Sequence, residues 1–261
     1  MENSLSVLIC SCDKYEDAWL PFSFFLNKFW NNSFFPIYLM TNFKKYEDNR
    51  INTIKTGEDI DWSTNFLKAI NEIKTKYILI FMEDYFLTEK PDTDFIKKAL
   101  NYMEHNKISY FRLFPCPGPD KIIDKIDDIE IGEIEKKSEY RVSLQLAIWD
   151  KDYLKRLIKI GESAWEFEIK GTERTNFMED RLISISRNTR YPIKYFCTAI
   201  VKGYWKREAV KLCEENGIKI DLKKRKIEPF YIEKDIRFII EIVNFKNRVK
   251  RKIKKIFGIT K

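Results

Sequence analysis

Residues 77–88, YILIFMEDYFLT, constrain the fold more than any other stretch of the chain. Residues 77–81 are continuously apolar or aromatic and rich in β-formers, which reads as a strand buried on both faces. Met82 follows, and then Glu83 and Asp84 arrive where such a strand ends. Carboxylates inside a doubly covered strand would carry a large desolvation cost, so the pair belongs at its exit. In open α/β sheets ligands bind outside the carboxyl ends of the strands. The two acids are therefore either a ligand-binding group or the polar start of the next turn.

The preceding residues repeat the theme. Residues 5–10, LSVLIC, read as a first buried strand, and residues 11–15, SCDKY, as the loop leaving it. Residues 17–30 follow as an apolar-rich helix in which Pro21 is tolerated if it falls in the first turn. Residues 35–41 and 51–56 read as further strands, the first closing at Thr41-Asn42. Residues 63–74 read as a helix capped by Ser63 or Thr64, because Phe66, Leu67, Ile70 and Ile73 recur at helical spacing. This order is the βαβ rhythm of a mostly parallel, Rossmann-like α/β sheet. Neither a Gly-x-Gly-x-x-Gly fingerprint nor a Walker A loop is present, which disfavours simple NAD(P) and P-loop ATP readings.

Further along, the pattern gives a helix over 92–105, a strand over 108–114 and a loop or hairpin over the charged residues 120–140. A strand over 142–149, a helix over 151–160 and a helix start over 177–185 come next. A strand over 195–202 leads to a helix over 208–216, closed by Gly217. His105, the single histidine, falls near a helix C-terminus, where a dipole or solvent role is expected.

The net charge of +8 points to nucleic acid until it is located. Lys246, Arg248, Lys250, Arg251, Lys252, Lys254, Lys255 and Lys261 account for all of it, with no acid among residues 246–261. Over the same stretch and just before it, Ile239, Ile242, Phe245, Val249, Ile253, Ile256 and Phe257 recur at steps of three or four, the pattern of a basic amphipathic helix. The apolar stripe favours an anionic membrane surface over nucleic acid, which needs only the charges; a partner-binding helix is the other rival. The expected division is a catalytic domain over 1–230 and this helix over 231–261.

Five scattered cysteines argue against a disulfide framework. Cys10-x-Cys12 has no second pair at zinc spacing, so a Cys/His metal site is not expected. The N-terminal residues lack the charge and apolar run of a signal peptide, and no apolar run approaches a spanning helix. A cytoplasmic protein, peripheral at the inner face of the cell membrane, is expected.

Two later stretches carry chemistry. In residues 163–174, SAWEFEIKGTER, Trp165 and Phe167 alternate with Glu166 and Glu168, followed by Gly171 and Arg174. Rings stack on sugar faces, carboxylates accept from hydroxyls, and one carboxylate can act as general base. The plainer reading is an amphipathic strand with both rings inward and both glutamates in solvent. In residues 202–207, KGYWKR, the cations Lys202, Lys206 and Arg207 surround a glycine turn and a helix N-terminus. They either hold a diphosphate or form a solvated basic loop.

Taken together, SVLICSCDKY, Thr41-Asn42, Glu83-Asp84-Tyr85-Phe86, the WEFE…GTER block and the Lys202-Gly203 loop resemble a bacterial GT-A-type glycosyltransferase of the capsule or lipopolysaccharide biosynthesis kind. The resemblance covers roughly residues 5–215. It implies a nucleotide-sugar donor, most often a UDP-sugar, and an acceptor hydroxyl on a surface glycan or lipid-linked sugar. Ser11, Cys12, Asp13 and Tyr15 would line the base or ribose, with Asn42 nearby. Glu83 and Asp84 fall where such enzymes carry the Asp-x-Asp motif that binds a divalent metal and the diphosphate. Here the acids are adjacent, and a strand end projects neighbouring side chains in opposite directions. Either Asp84 alone holds Mn²⁺ or Mg²⁺, or Lys202, Lys206 or Arg207 neutralises the leaving diphosphate without a metal; the altered spacing favours the second. The general base of an inverting member would be Glu168, with Glu166 second, and Trp165 and Arg174 would bind substrate. The alternatives are a non-catalytic carbohydrate- or nucleic-acid-binding protein and a nucleotidyltransferase. The glycine- and basic-rich phosphate loop of the latter is not evident near residues 10–20.

Overall fold

A strand without a polar face must be covered twice, and the central sheet is built on that demand. The computed structural model describes residues 4–229. The described residues divide into two compact units, one ending at Thr198 and the other beginning at Ala199. The amphipathic segment expected over 231–261 lies outside the described residues.

In the first unit β1 (Leu5–Cys10), α1 (Glu16–Trp30), β2 (Ile37–Thr41), β3 (Ile51–Lys55), α2 (Trp62–Glu72) and β4 (Tyr77–Met82) follow one another as the sequence implies. Then come β5 (Phe86–Leu87), α3 (Thr93–Asn106), β6 (Ile108–Arg112), and the hairpin β7 (Lys121–Ile126) and β8 (Ile129–Glu133). The unit finishes with β9 (Ala147–Asp150), α4 (Lys151–Leu157), α5 (Ala164–Thr175), β10 (Arg181–Ile185) and β11 (Tyr195–Phe196). Nine strands form one sheet in the order β3-β2-β1-β4-β9-β6-β10-β8-β7. β8 and β9 run against the other seven, so the sheet is mixed but mostly parallel in direction.

Side-chain alternation divides the cover. Leu8, Cys10, Ile78 and Ile80 share a core with Phe66 and Ile70 of α2, Leu154 of α4 and Phe167 of α5. On the opposite face Phe22 of α1 meets Phe81 edge-on at 5.9 Å between centroids, and Phe95 of α3 meets Phe111 at 6.3 Å. The β1–β4 register sets Cys10 beside Met82, so Ser11 and Glu83 leave the sheet side by side, with Glu83 N–H donating to Cys10 C=O at 3.2 Å.

Several elements differ from the sequence reading. Pro21 lies in the second turn of α1, not the first. The cap of α2 is Asp61, whose carboxylate accepts from Thr64 N–H; Ser63 and Thr64 lie inside the helix. Only the last residues of the expected strand over 142–149 join the sheet, as β9. The segment around Glu179-Asp180 opens strand β10 and not a helix, because Arg181–Ile185 is claimed by β6 on one side and β8 on the other. The stretch over 195–202 is broken after Phe196.

The second unit begins with the antiparallel pair β12 (Ile200–Val201) and β13 (Tyr204–Trp205). Its two-residue connection, Lys202 at φ 50° and Gly203 at φ 80°, has the left-handed pair of dihedrals that matches strand twist. Lys206 occupies the N-cap of α6 (Arg207–Glu215), and Gly217, at φ 74°, terminates it. Among the described residues no helix is long and apolar enough to cross a membrane.

Candidate active site

The carboxyl ends of β1 and β2 are tied to each other by Asp13 and Asn42. Asp13 N–H donates to Asn42 Oδ1 at 3.0 Å, and the Asp13 carboxylate accepts from the backbone N–H groups of Asn42, Phe43 and Lys44 at 2.9, 3.1 and 3.2 Å. Asn42 Nδ2 donates on to Gly57 C=O at 3.1 Å. Ser11 Oγ accepts from the Trp19 indole at 2.8 Å and is buried. Asp13 and Asn42, expected at or near a base or ribose, thus give their side chains to the loops themselves, since backbone donors at a strand exit must be satisfied locally, while Ser11 gives its hydroxyl to α1. Tyr15 closes the single 3-10 turn Asp13–Tyr15. Burial raises the Cys12 thiol, with the Asp59 and Glu83 charges acting the same way, and burial then Glu83 push Cys10 well up. Both shifts disfavour the thiolate, the nucleophilic form.

The Asp13 clasp makes a stability prediction. Asp13→Ala strands three backbone donors and lowers stability by about 2 kcal/mol, read as a fall of about 4–8 °C in Tm. An unchanged Tm would mean that water replaces the carboxylate without cost.

Glu83 and Asp84 sit at the exit of β4 and are buried, 6% and 7% exposed. Glu83 turns to the α1 face, lining an apolar crevice with Ile9, Trp19, Phe22 and Leu39. The next residue but one, Tyr85, stacks on Tyr195 with ring centroids 4.8 Å apart, and Phe114 lies 5.0 Å from Tyr195. Burial, then the charge of Asp84, then Cys197 and Glu168, push the Tyr85 hydroxyl well up. The β4 acids and Glu168, more than eighty positions apart in the sequence, therefore act on one phenol.

Glu168 reaches this place on a helix. Ser163 Oγ caps α5 by accepting from Glu166 N–H, and the Glu166 carboxylate returns to Ser163 N–H at 3.0 Å, a complete capping box. Phe167, Gly171 and Thr175 then face the core. Glu168 sits one position round from Phe167, half-buried, and its Oε1 accepts from Leu144 N–H at 2.7 Å. Burial raises its pKa, against the Leu144 hydrogen bond and the Arg112 charge. Arg112 is fully buried on β6 and donates to Pro117 C=O at 2.6 Å, to Arg141 C=O at 3.1 Å and to Tyr140 C=O.

Glu166 and Arg174 of the same block are engaged within the fold. Glu166 is held down to about 2 by Lys170, then by the Ser163 N–H and hydroxyl, which leaves it a poor proton acceptor. Arg174 makes a two-pronged pair with Glu162 at 2.6 and 2.7 Å and donates from Nε to Leu157 C=O at 2.9 Å. Its guanidinium is thus engaged inside the fold through Nε and both terminal nitrogens. Trp165 is 64% exposed in the first turn of α5.

Sequence reasoning missed Gln145, Tyr195 and Arg112. Tyr195 OH donates to Gln145 Oε1 at 2.6 Å, and Cys197 Sγ lies 3.8 Å from the same oxygen. An arginine closing the apolar run ISYFR was the one visible signal. Lys202, Lys206 and Arg207 belong to the second unit: Lys202 in its hairpin turn, the other two at the start of α6.

No protein-family model matches the chain, and no curated protein sequence matches it. Solved structures do. The chain is similar to S. aureus TarS 1–349 in complex with UDP-GlcNAc, at 12% identity and a TM-score of 0.50, over 76% of this chain and 59% of that one. TarS 1–349 in complex with UDP matches at 10% identity and 0.49, over 72% and 59%. A cytidylyltransferase from Leptospira borgpetersenii serovar Hardjo-bovis matches at 12% and 0.47, over 82% and 95%. The chain spans less than two thirds of the TarS 1–349 chains. The likeness to the UDP-GlcNAc complex is one of fold, a Rossmann-like α/β sheet.

Proposed function

We propose that this chain is an inverting glycosyltransferase that moves a sugar from a nucleotide-sugar, a UDP-sugar in the first instance, to a hydroxyl of a surface-glycan or lipid-linked acceptor. The observation that carries the reading is Glu168, a half-buried carboxylate with a raised pKa, fixed by one backbone N–H at the carboxyl end of the sheet. The fold likeness to TarS, a glycosyltransferase, supports the same class.

In this reaction Glu168 accepts the proton of the acceptor hydroxyl while that oxygen attacks the anomeric carbon. The bond from that carbon to the diphosphate oxygen breaks, and the nucleoside diphosphate leaves with the electron pair. A base whose pKa is lifted toward the working pH is better matched to this transfer than an exposed glutamate. Among the described residues no group of three or more His, Cys, Asp and Glu side chains stands together as a metal cage. Asp84, at the exit of β4, is the group that would hold Mn²⁺ or Mg²⁺ together with phosphate oxygens and waters. Such an ion would supply charge to stabilise the departing diphosphate. Within the second unit, Lys202, Lys206 and Arg207 are proposed as diphosphate-binding cations.

Thermal unfolding against UDP, GDP, CMP and dTDP, each with EDTA or Mn²⁺, tests the donor class. A nucleotide at about a hundred times its Kd stabilises by about 2.7 kcal/mol, a rise of about 5–10 °C in Tm. A rise with UDP is expected. Its survival in EDTA would assign the diphosphate to the cations; its dependence on Mn²⁺ would assign it to Asp84. No rise with any nucleotide would replace the transferase reading with that of a carbohydrate-binding module.

A further inference from the structure

Gln145 is oriented by two neighbours and leaves its own donors unused. It stands in the segment that enters β9, between two residues that serve the site through their backbones. Leu144 N–H holds Glu168 at 2.7 Å, and the Leu146 backbone N–H acts on the Tyr195 hydroxyl, favouring its charged form against burial. Burial pushes the Tyr195 hydroxyl up, and the phenol donates its hydrogen to Gln145 Oε1 at 2.6 Å. The Cys197 thiol approaches the same oxygen at 3.8 Å. With Oε1 taken by these donors, the Gln145 Nε2 group is turned away from them.

No residue among those described accepts from Nε2. Nor is the atom sealed: it is absent from the buried, unsatisfied set that contains Trp62 Nε1, Ser143 Oγ and Trp149 Nε1. A half-buried amide aimed by a buried tyrosine, with its two N–H groups open, is arranged for an acceptor atom that the protein does not supply.

Its position says which. Through Tyr195, which stacks on Tyr85, Gln145 is joined to the β4 exit and Asp84. Through Leu144 it adjoins Glu168. On the reading in which Asp84 holds the diphosphate and Glu168 is the base, the transferred glycosyl group would lie between the two. We infer that Gln145 is a specificity-determining residue that donates from Nε2 to an oxygen of the donor's glycosyl group, with Tyr195 as the residue that positions it. The inference rests on the glycosyltransferase reading above.

Isothermal titration of the full chain with UDP, UDP-glucose and UDP-GlcNAc separates the two. Gln145→Glu keeps an acceptor for the Tyr195 hydroxyl and removes both N–H donors; Gln145→Met keeps the volume and removes all polarity. Both are expected to bind UDP as the wild type does and to lose about tenfold in affinity for at least one UDP-sugar. Tyr195→Phe, which leaves the amide free to turn, is expected to narrow the wild-type preference between the two sugars. If either folded variant, checked by circular dichroism, keeps the wild-type ratio of UDP-sugar to UDP affinity for both sugars, the role of Gln145 is overturned and the transferase reading stands. If the wild type binds none of the three, the donor reading falls and this assignment with it.

Discussion

Glu168→Gln is expected to lower turnover by about 10²–10⁴-fold, the contribution of one well-placed general base. Donor affinity should hardly move. The replacement is nearly isosteric, and its amide oxygen still accepts from Leu144 N–H, the bond that fixes the native carboxylate at 2.7 Å. What disappears is the capacity to take a proton. Steady-state kinetics beside nucleotide titration resolves the two effects: kcat falls while the Kd for UDP stays. A variant with native turnover would move the base elsewhere, and Glu166 is a poor refuge. Its carboxylate already serves Ser163 and Lys170 and is held down to about 2.

The raised pKa of Glu168 also sets the pH dependence. Activity requires the ionised form, so the acid limb of kcat/KM should inflect above the ordinary glutamate value of about 4.3 and vanish in Glu168→Gln. Stability runs the other way. Between its unfolded and its raised folded pKa, Glu168 binds more protons in the native state than in the unfolded chain, so its contribution weakens as pH rises through that window. Glu168→Gln is therefore expected to unfold at the same temperature as the wild type or higher at pH 7. The difference should shrink as the pH falls toward 4. A site kept at some cost to stability is what a functional carboxylate implies.

The sheet was legible and most of the site was not, for a shared physical reason. Continuous apolar runs such as LSVLIC and YILIF declare a strand without reference to any partner, and β1 and β4 appear where those runs stand. The exits of those strands follow from the same runs, which places Glu83 and Asp84 at the end of β4. The WEFE block misleads because four residues of alternation fit a strand while the decisive signals are spaced wider. Ser163 and Glu166 make a capping box three apart, and Phe167, Gly171 and Thr175 mark one helical face. Residues 142–146 are apolar enough for a strand, but their backbone is claimed from afar. Leu144 N–H goes to Glu168 and Ser143 N–H to the Tyr110 hydroxyl at 3.4 Å, partners 24 and 33 positions away. Gln145 and Tyr195 have no motif at all; fifty residues separate them, and only the folded chain makes them a pair.

Arg174→Met is expected to cost about 3–5 kcal/mol, the penalty of leaving a buried carboxylate without its cation. That corresponds to a fall of about 6–20 °C in Tm. The Glu162 side chain is 6% exposed, and both its oxygens are taken by the Arg174 guanidinium at 2.6 and 2.7 Å. Its backbone meanwhile exchanges bonds with Ser63: Ser63 N–H donates to Glu162 C=O at 3.1 Å, and Glu162 N–H to Ser63 Oγ at 3.0 Å. The pair therefore fastens α5, and Glu168 with it, to the start of α2. The double variant Glu162→Gln/Arg174→Met removes both charges and should recover much of the loss, because the expensive species is the orphaned ion and not the missing bond. A substrate-binding arginine would behave differently: Arg174→Met would keep its Tm and raise KM, and the second substitution would repair nothing. Urea unfolding of the wild type, the two single variants and the double variant measures the coupling directly. A coupling energy near zero would return Arg174 to the list of ligand-binding groups, and one of several kcal/mol would make it the strut on which the position of Glu168 depends.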